Sequence, residues 1–90
     1  MKVGLIEVGH WHSPFYYNPL KTMSEVKIIG VSDRDPVVAK KIGEVLGCPA
    51  YHQYTEMVEK ERPDLVFALG RHVEMPVIAQ YLINRRVPFC

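Results

Sequence analysis

Short apolar runs alternate with amphipathic segments along this 90-residue chain. Runs of this length that are bounded by glycine, proline or charged residues are typical of buried β-strands. They predict strands over Lys2–Val8, Val26–Ser32 and Leu65–Gly70, with the start of a fourth at Val87–Cys90.

Helical spacing of apolar residues separates these runs. The clearest case is Pro36–Leu46, where Val38, Ile42, Val45 and Leu46 recur at helical intervals, Asp35 is placed to cap the start and Gly47 to end the helix. Further helices are predicted at 55–61, with Thr55 as its cap, and at 76–84, and a short edge segment at 51–54.

Strands that alternate with helices predict the fold class. Right-handed βαβ units give an α/β fold with a partial Rossmann-like, doubly wound parallel sheet in the strand order 3-2-1-4. Ligands bind such sheets at the carboxyl ends of the strands. The residues that follow Val8, Ser32 and Leu69 are therefore the candidates for a site.

Composition and charge narrow the function classes. The chain is 48% hydrophobic and 23% charged, and its formal net charge is +1, as in an ordinary globular domain. This charge balance excludes a polybasic protein that binds nucleic acid. No apolar run is long enough for a signal peptide or a membrane span. Cys48 and Cys90 lack zinc-site spacing. We therefore expect a cytoplasmic protein without a nucleic-acid or membrane partner.

The turn after the first strand partly matches a dinucleotide fingerprint. That fingerprint needs glycines at positions 7, 9 and 12, and only Gly9 is present. Glu7 would repel a pyrophosphate, and His12 places bulk where a small residue is expected. The alternative is that Gly9 belongs to an ordinary strand-to-helix turn.

An acidic residue at the end of the second strand strengthens the dinucleotide interpretation. Asp33 lies close to the offset of about 20 residues at which a carboxylate accepts hydrogen bonds from an adenosine ribose. Arg34 could stack on adenine or contact a 2′-phosphate. The alternatives are a solvated turn carboxylate and an exposed arginine.

Taken together, these features resemble a known family. The segments that carry the resemblance are Lys-Val-Gly-Leu-Ile, Ile-Ile-Gly-Val-Ser-Asp-Arg-Asp-Pro, Leu-Gly-Cys-Pro-Ala-Tyr and Arg-Pro-Asp-Leu-Val-Phe-Ala-Leu. They are similar to the N-terminal nucleotide-binding domain of the Gfo/Idh/MocA oxidoreductases, over nearly the whole chain. Residues 1–90 are then the N-terminal part of a dinucleotide-binding domain, and the C-terminal substrate domain is absent.

The resemblance implies a cofactor, a substrate class and a set of binding residues. The cofactor is NAD or NADP, of which the charge of Asp33 favours NAD because it repels a 2′-phosphate, and the substrate is a sugar, cyclitol or related polyol. Gly9 matches the central glycine of the fingerprint, Asp33 and Arg34 match the ribose-binding pair, and His72 lies where the family has Ala-Thr-Pro-Asn followed by histidines. The predicted cofactor-binding residues are Gly9, His10, Trp11, His12, Asp33, Arg34, Leu69, Gly70 and His72.

The resemblance also implies what these 90 residues lack. The family's Glu-Lys-Pro motif, with its catalytic lysine, would follow Cys90, so we expect no catalytic residue here. The full-length protein would be an NAD(P)-dependent oxidoreductase, whereas the 90 residues alone would bind a nucleotide without turnover. Any homo-oligomer would form through the C-terminal domain.

Two other functions stay open on the sequence. Glu7, His12 and the altered loop at 69–71 favour a Rossmann-type binding or regulatory module without a cofactor. The pair His10 and His12, with His72 and Glu74 after the third strand, would suit a metal hydrolase if the four side chains converged.

Overall fold

The computed structural model describes residues 1–9, 18–20, 22–69 and 75–90. Residues 18–20 are helical. The elements in chain order are β1 (Lys2–Ile6), β2 (Lys27–Ser32), α1 (Pro36–Leu46), β3 (Ala50–Tyr51), α2 (Tyr54–Glu61), β4 (Leu65–Ala68) and α3 (Met75–Asn84).

The strands form a parallel sheet in the order β3-β2-β1-β4, so the predicted order 3-2-1-4 is confirmed, with the edge segment as its third strand and Leu65–Ala68 as its fourth. Ile6 at the end of β1 pairs with Ser32 on one side and Ala68 on the other. The predicted fourth run pairs with β4 through a single bridge between Val66 and Phe89. The register therefore brings the carboxyl ends of β1, β2 and β4 to one edge.

Apolar side chains cover both faces of the sheet, as a parallel sheet requires. One cluster consists of Ile6, Met57, Val58, Val66, Ala68, Ile78 and Leu82. The other consists of Val3, Leu5, Val8, Leu20 and Val31. The sheet is thus fixed from both sides, and its carboxyl edge is a rigid base for a site.

Helix α1 begins and ends where the sequence predicts. Asp35 Oδ1 accepts hydrogen bonds from the amides of Val37 and Val38, at 3.0 and 3.4 Å, and Gly47 ends the helix in the left-handed region with φ 71°. Val45, one of the apolar residues at helical intervals, does not join the core, because it is 61% exposed. Ala39 and Gly43 are the buried residues of this helix.

Two other predicted boundaries are wrong. β1 ends at Ile6 rather than Val8, because Glu7 adopts φ 59°, which no strand residue has, although the Val8 amide still donates to Ser32 O at 3.2 Å. α2 begins at Tyr54, so Thr55 is not its cap. The pairing of β3 with β2 ends at Tyr51, so the chain is free to begin α2 at Tyr54.

Candidate functional site

The candidate site lies at the carboxyl ends of β1 and β2. Since Ile6 and Ser32 are partners in the sheet, the residues that follow them, Glu7 and Asp33, emerge side by side. The hydrogen bond from the Val8 amide to Ser32 O keeps the two segments of the chain together for two residues beyond β1. Two carboxylates therefore stand at adjacent strand ends.

Asp33 is held by the backbone on both carboxylate oxygens. Oδ1 accepts the Gly9 amide at 2.9 Å, and Oδ2 accepts the Asp35 amide at 2.9 Å. The residue is only 6% exposed, so it is not the solvated turn carboxylate that the sequence left as an alternative. Each carboxylate oxygen has a second lone pair, which leaves capacity to accept a ligand hydroxyl.

Gly9 is a glycine because Asp33 approaches it closely. A Cβ at position 9 would lie 2.9 Å from Asp33 Oδ1 and 3.0 Å from Val38 Cγ1. Any larger residue would have to displace the carboxylate that its own amide binds. The two residues that the sequence singled out separately, Gly9 and Asp33, thus form one unit.

Glu7 occupies the position of the fingerprint's first glycine with a glycine-like backbone. Its φ of 59° lies in the left-handed region, which costs a residue with a Cβ about 1 kcal/mol or more. Its side chain is 14% exposed, and its Oε2 lies 3.9 Å from Arg34 Nε. The guanidinium of Arg34, with a side chain 56% exposed, therefore balances part of the negative charge at the strand ends.

Sequence reasoning missed two residues beside this site. Burial raises the pKa of Tyr54, and the negative charge of Glu7 raises it further, so the two side chains share one electrostatic environment. Ser32, fully buried at the end of β2, has a hydroxyl without a hydrogen-bond partner in the part of the chain that the structure describes. A polar residue at the end of an otherwise apolar strand was the available signal for Ser32. Tyr54 gave none, since its position follows from the packing of α2.

The other predicted site residues divide into two groups. Leu69 directly follows β4, is half-buried, and donates its amide to Ile6 O at 2.9 Å, so it lies beside the end of β1. His10, Trp11, His12, Gly70 and His72 lie outside the described residues.

The metal interpretation depends on residues that the structure does not describe. His10, His12, His72 and Glu74 all lie outside residues 1–9, 18–20, 22–69 and 75–90. Within those ranges, no group of three or more histidine, cysteine, aspartate or glutamate side chains could hold a metal ion. In the same ranges, no helix is long and apolar enough to cross a membrane.

Comparison with known families decides the classification. Residues 1–85 match the family GFO_IDH_MocA, described as an oxidoreductase family with an NAD-binding Rossmann fold. The chain belongs to this family. It is therefore an NAD-binding oxidoreductase domain of the Gfo/Idh/MocA type, as its resemblance implied. A comparison with curated protein sequences finds no match.

Solved structures share the fold of this Gfo/Idh/MocA domain at low identity. A probable dehydrogenase from Thermotoga maritima superposes with a TM-score of 0.88 at 18% identity, over 99% of this chain and 27% of that one. A myo-inositol 2-dehydrogenase from Lactobacillus plantarum gives 0.84 at 18%, over 99% and 26%. A 3-ketoreductase from Actinomadura kijaniata, in complex with TDP-benzene and NADP, gives 0.88 at 16%, over 99% and 28%. The chain spans about a quarter of the length of these proteins.

Proposed function

We propose that residues 1–90 are the N-terminal part of the dinucleotide-binding domain of an NAD-dependent oxidoreductase that acts on a sugar, cyclitol or related polyol. The observation that supports this most is the contact between Asp33 and Gly9 at the carboxyl ends of neighbouring strands. A carboxylate at the end of the second strand is the group that accepts hydrogen bonds from an adenosine ribose in dinucleotide-binding folds.

The described residues fit the adenosine end of such a cofactor. Asp33 would accept the ribose hydroxyls, and Gly9, which has no Cβ, lets its own amide approach the carboxylate closely. Arg34, which is exposed, would lie over the adenine or beside the ribose. When bound, the nicotinamide ring of the cofactor supplies hydride-transfer chemistry.

The rest of the binding site is proposed from sequence position. The backbone amides at 9–13, which include His10, Trp11 and His12, would bind the pyrophosphate. Leu69, Gly70 and His72 would lie near the nicotinamide, since they follow the strand that neighbours β1. The C-terminal domain of the full-length protein would hold the substrate, supply the catalytic residues and form any homo-oligomer.

NAD is the proposed cofactor in preference to NADP. The buried, negatively charged Asp33 would repel a 2′-phosphate at the position where it accepts a ribose hydroxyl. A myo-inositol dehydrogenase among the proteins with this fold supports a cyclitol or sugar as the substrate class. We propose a cytoplasmic location, with the dinucleotide and this small substrate as partners.

Calorimetric titration of Asp33→Asn with NAD⁺ tests the assignment. The change keeps the shape of the side chain and removes its charge, and we expect NAD⁺ affinity to fall by about 1 to 2 kcal/mol, the size of a hydrogen bond to a charged group. Glu59→Gln, at an exposed position of α2 where the carboxylate pairs with Arg85, is the control for loss of one negative charge. Equal NAD⁺ affinity in the wild-type chain and Asp33→Asn contradicts the assignment.

One observation favours a second candidate, a binding module that has kept the fold and lost the cofactor. The carboxylate of Glu7 stands where the fingerprint has its first glycine. For this candidate, a folded sample shows no enhancement of NADH fluorescence at millimolar ligand.

A further inference from the structure

Glu7 and Arg34 face each other across the ends of β1 and β2. Their closest charged atoms, Oε2 and Nε, are 3.9 Å apart, and the glutamate is the more buried partner, at 14% against 56% side-chain exposure. The pairing of Ile6 with Ser32 brings the two residues close together, because Glu7 directly follows Ile6 and Arg34 comes two residues after Ser32. The carboxylate therefore stands beside the residue that follows Asp33.

The backbone of Glu7 makes the presence of this side chain informative. At φ 59° a glycine would be free of the strain that a Cβ introduces. A strained conformation at a ligand-binding edge is a reason to look for a role of the side chain. The role must lie in its charge or its contacts, since the turn itself would be easier to form with glycine.

We infer that Glu7 is a cofactor-selectivity residue that acts through Arg34 and disfavours dinucleotides with a 2′-phosphate. The inference rests on the proposed function. A guanidinium is the group best suited to pair with a phosphate beside the ribose. Here a 2′-phosphate would have to compete with Glu7 for Arg34, in the field of a second carboxylate, Asp33. NAD⁺ has no phosphate at this position and meets no such competition.

The ratio of two affinities separates this role from simple repulsion of the pyrophosphate. Both NAD⁺ and NADP⁺ contain the pyrophosphate, so its interaction with Glu7 cancels when the two dissociation constants are divided. Only an effect on the 2′-phosphate changes the ratio. Glu7→Gln is the suitable variant because it keeps the length of the side chain and the backbone strain, and removes the charge.

The experiment measures Kd for NAD⁺ and NADP⁺ by calorimetry in the wild-type chain, Glu7→Gln, Arg34→Ala and the double variant. We expect Glu7→Gln to lower the ratio of Kd for NADP⁺ to Kd for NAD⁺ about five-fold, as for a partly exposed ion pair. In the Arg34→Ala background the same change should leave the ratio within about two-fold. The control is Glu59→Gln, which removes a carboxylate from the pair with Arg85 and should not move the ratio.

Every other outcome contradicts either the selectivity role of Glu7 or the proposed function. Equal tightening of NAD⁺ and NADP⁺ in Glu7→Gln, or an equal change of the ratio with and without Arg34, overturns the selectivity role. An unmoved ratio in a chain that binds NAD⁺ also overturns it and leaves the proposed function standing. Failure of the folded wild-type chain to bind either dinucleotide overturns the proposed function and this inference together.

Discussion

The Gly9 amide donates a hydrogen bond to Asp33 Oδ1 at 2.9 Å, and a Cβ on residue 9 would meet the same oxygen at 2.9 Å. One contact thus explains both the glycine and the position of the carboxylate. It also joins the ends of β1 and β2, which are far apart in sequence. The proposed ribose-binding group is therefore preorganised by the fold itself.

Substitution of Asp33 should affect stability as well as binding. Asp33→Ala removes the charged acceptor of the Gly9 and Asp35 amides, and the loss of a hydrogen bond to a charged group costs about 1.5 to 3 kcal/mol. We expect a lower free energy of unfolding in urea for Asp33→Ala, and a smaller loss for Asp33→Asn, which keeps one oxygen acceptor. Equal stability of Asp33→Ala and the wild-type chain would show that the two hydrogen bonds are not formed.

Gly9→Ala should weaken NAD⁺ binding by displacing Asp33. The added methyl group requires either the carboxylate or Val38 to move. We expect destabilisation of about 1 to 3 kcal/mol, the usual cost of overpacking, together with a lower NAD⁺ affinity in calorimetry. The matched control is Gly47→Ala, where no atom lies within 4 Å of the new Cβ and only the left-handed backbone is penalised. A Gly9→Ala chain with wild-type affinity would contradict the close contact.

Gly43→Ala should destabilise the chain, although alanine favours helices over glycine by about 1 kcal/mol. The new Cβ would lie 2.9 Å from the carbonyl oxygen of Cys48, which is backbone and cannot rotate away. We expect a net loss of about 1 kcal/mol or more in the free energy of unfolding. Glu44→Ala, on the exposed side of the same helix, is the control. A stabilised Gly43→Ala chain would mean that the turn after α1 is looser than described.

Stability should fall in alkali through Tyr51. Its hydroxyl donates a hydrogen bond to Glu61, and this bond, with burial and the charge of Glu61, raises the pKa of Tyr51 from 10.0 to about 12. The folded chain holds the proton more tightly than the unfolded chain, so this contribution is complete below pH 10 and is lost between pH 10 and 12. The stability difference between the wild-type chain and Tyr51→Phe should shrink across that range. A difference that stays constant with pH excludes the bond to Glu61.

The cysteines should differ in reactivity. Burial raises the pKa of the Cys48 thiol to about 11, with a smaller effect from the charge of Glu61, whereas Cys90 is exposed. Because the thiolate is the reactive form, iodoacetamide at pH 8 should label Cys90 well before Cys48 in the folded chain. Mass spectrometry of tryptic peptides gives the two rates. Equal rates in a folded sample would contradict the burial of Cys48.

Right-handed βαβ connections made the sheet order predictable, and local signals made helix α1 predictable. Asp35 and Pro36 start that helix and Gly47 ends it through interactions within a few residues, which a sequence displays directly. The end of β1 was not predictable in this way. Val8 continues the apolar pattern, and only the left-handed conformation of Glu7 stops the strand.

The geometry of the site depended on contacts that a sequence does not display. Asp33 was identifiable by its offset from Gly9, but the hydrogen bond to its Oδ1 comes from the Gly9 amide, in the segment that follows β1. The approach of Arg34 to Glu7 follows from the register of β1 against β2. Opposite charges just after two adjacent strands could have suggested this pair once the strand order was known.

Titration with the reduced cofactor shows whether these 90 residues bind a dinucleotide. The 90-residue chain, shown to be folded by circular dichroism, is titrated against NADH and NADPH while the fluorescence of the dihydronicotinamide is followed. Dinucleotide binding of the proposed kind predicts saturable enhancement with NADH and weaker binding of NADPH. No enhancement with either ligand at millimolar concentration, in a folded sample, would contradict it.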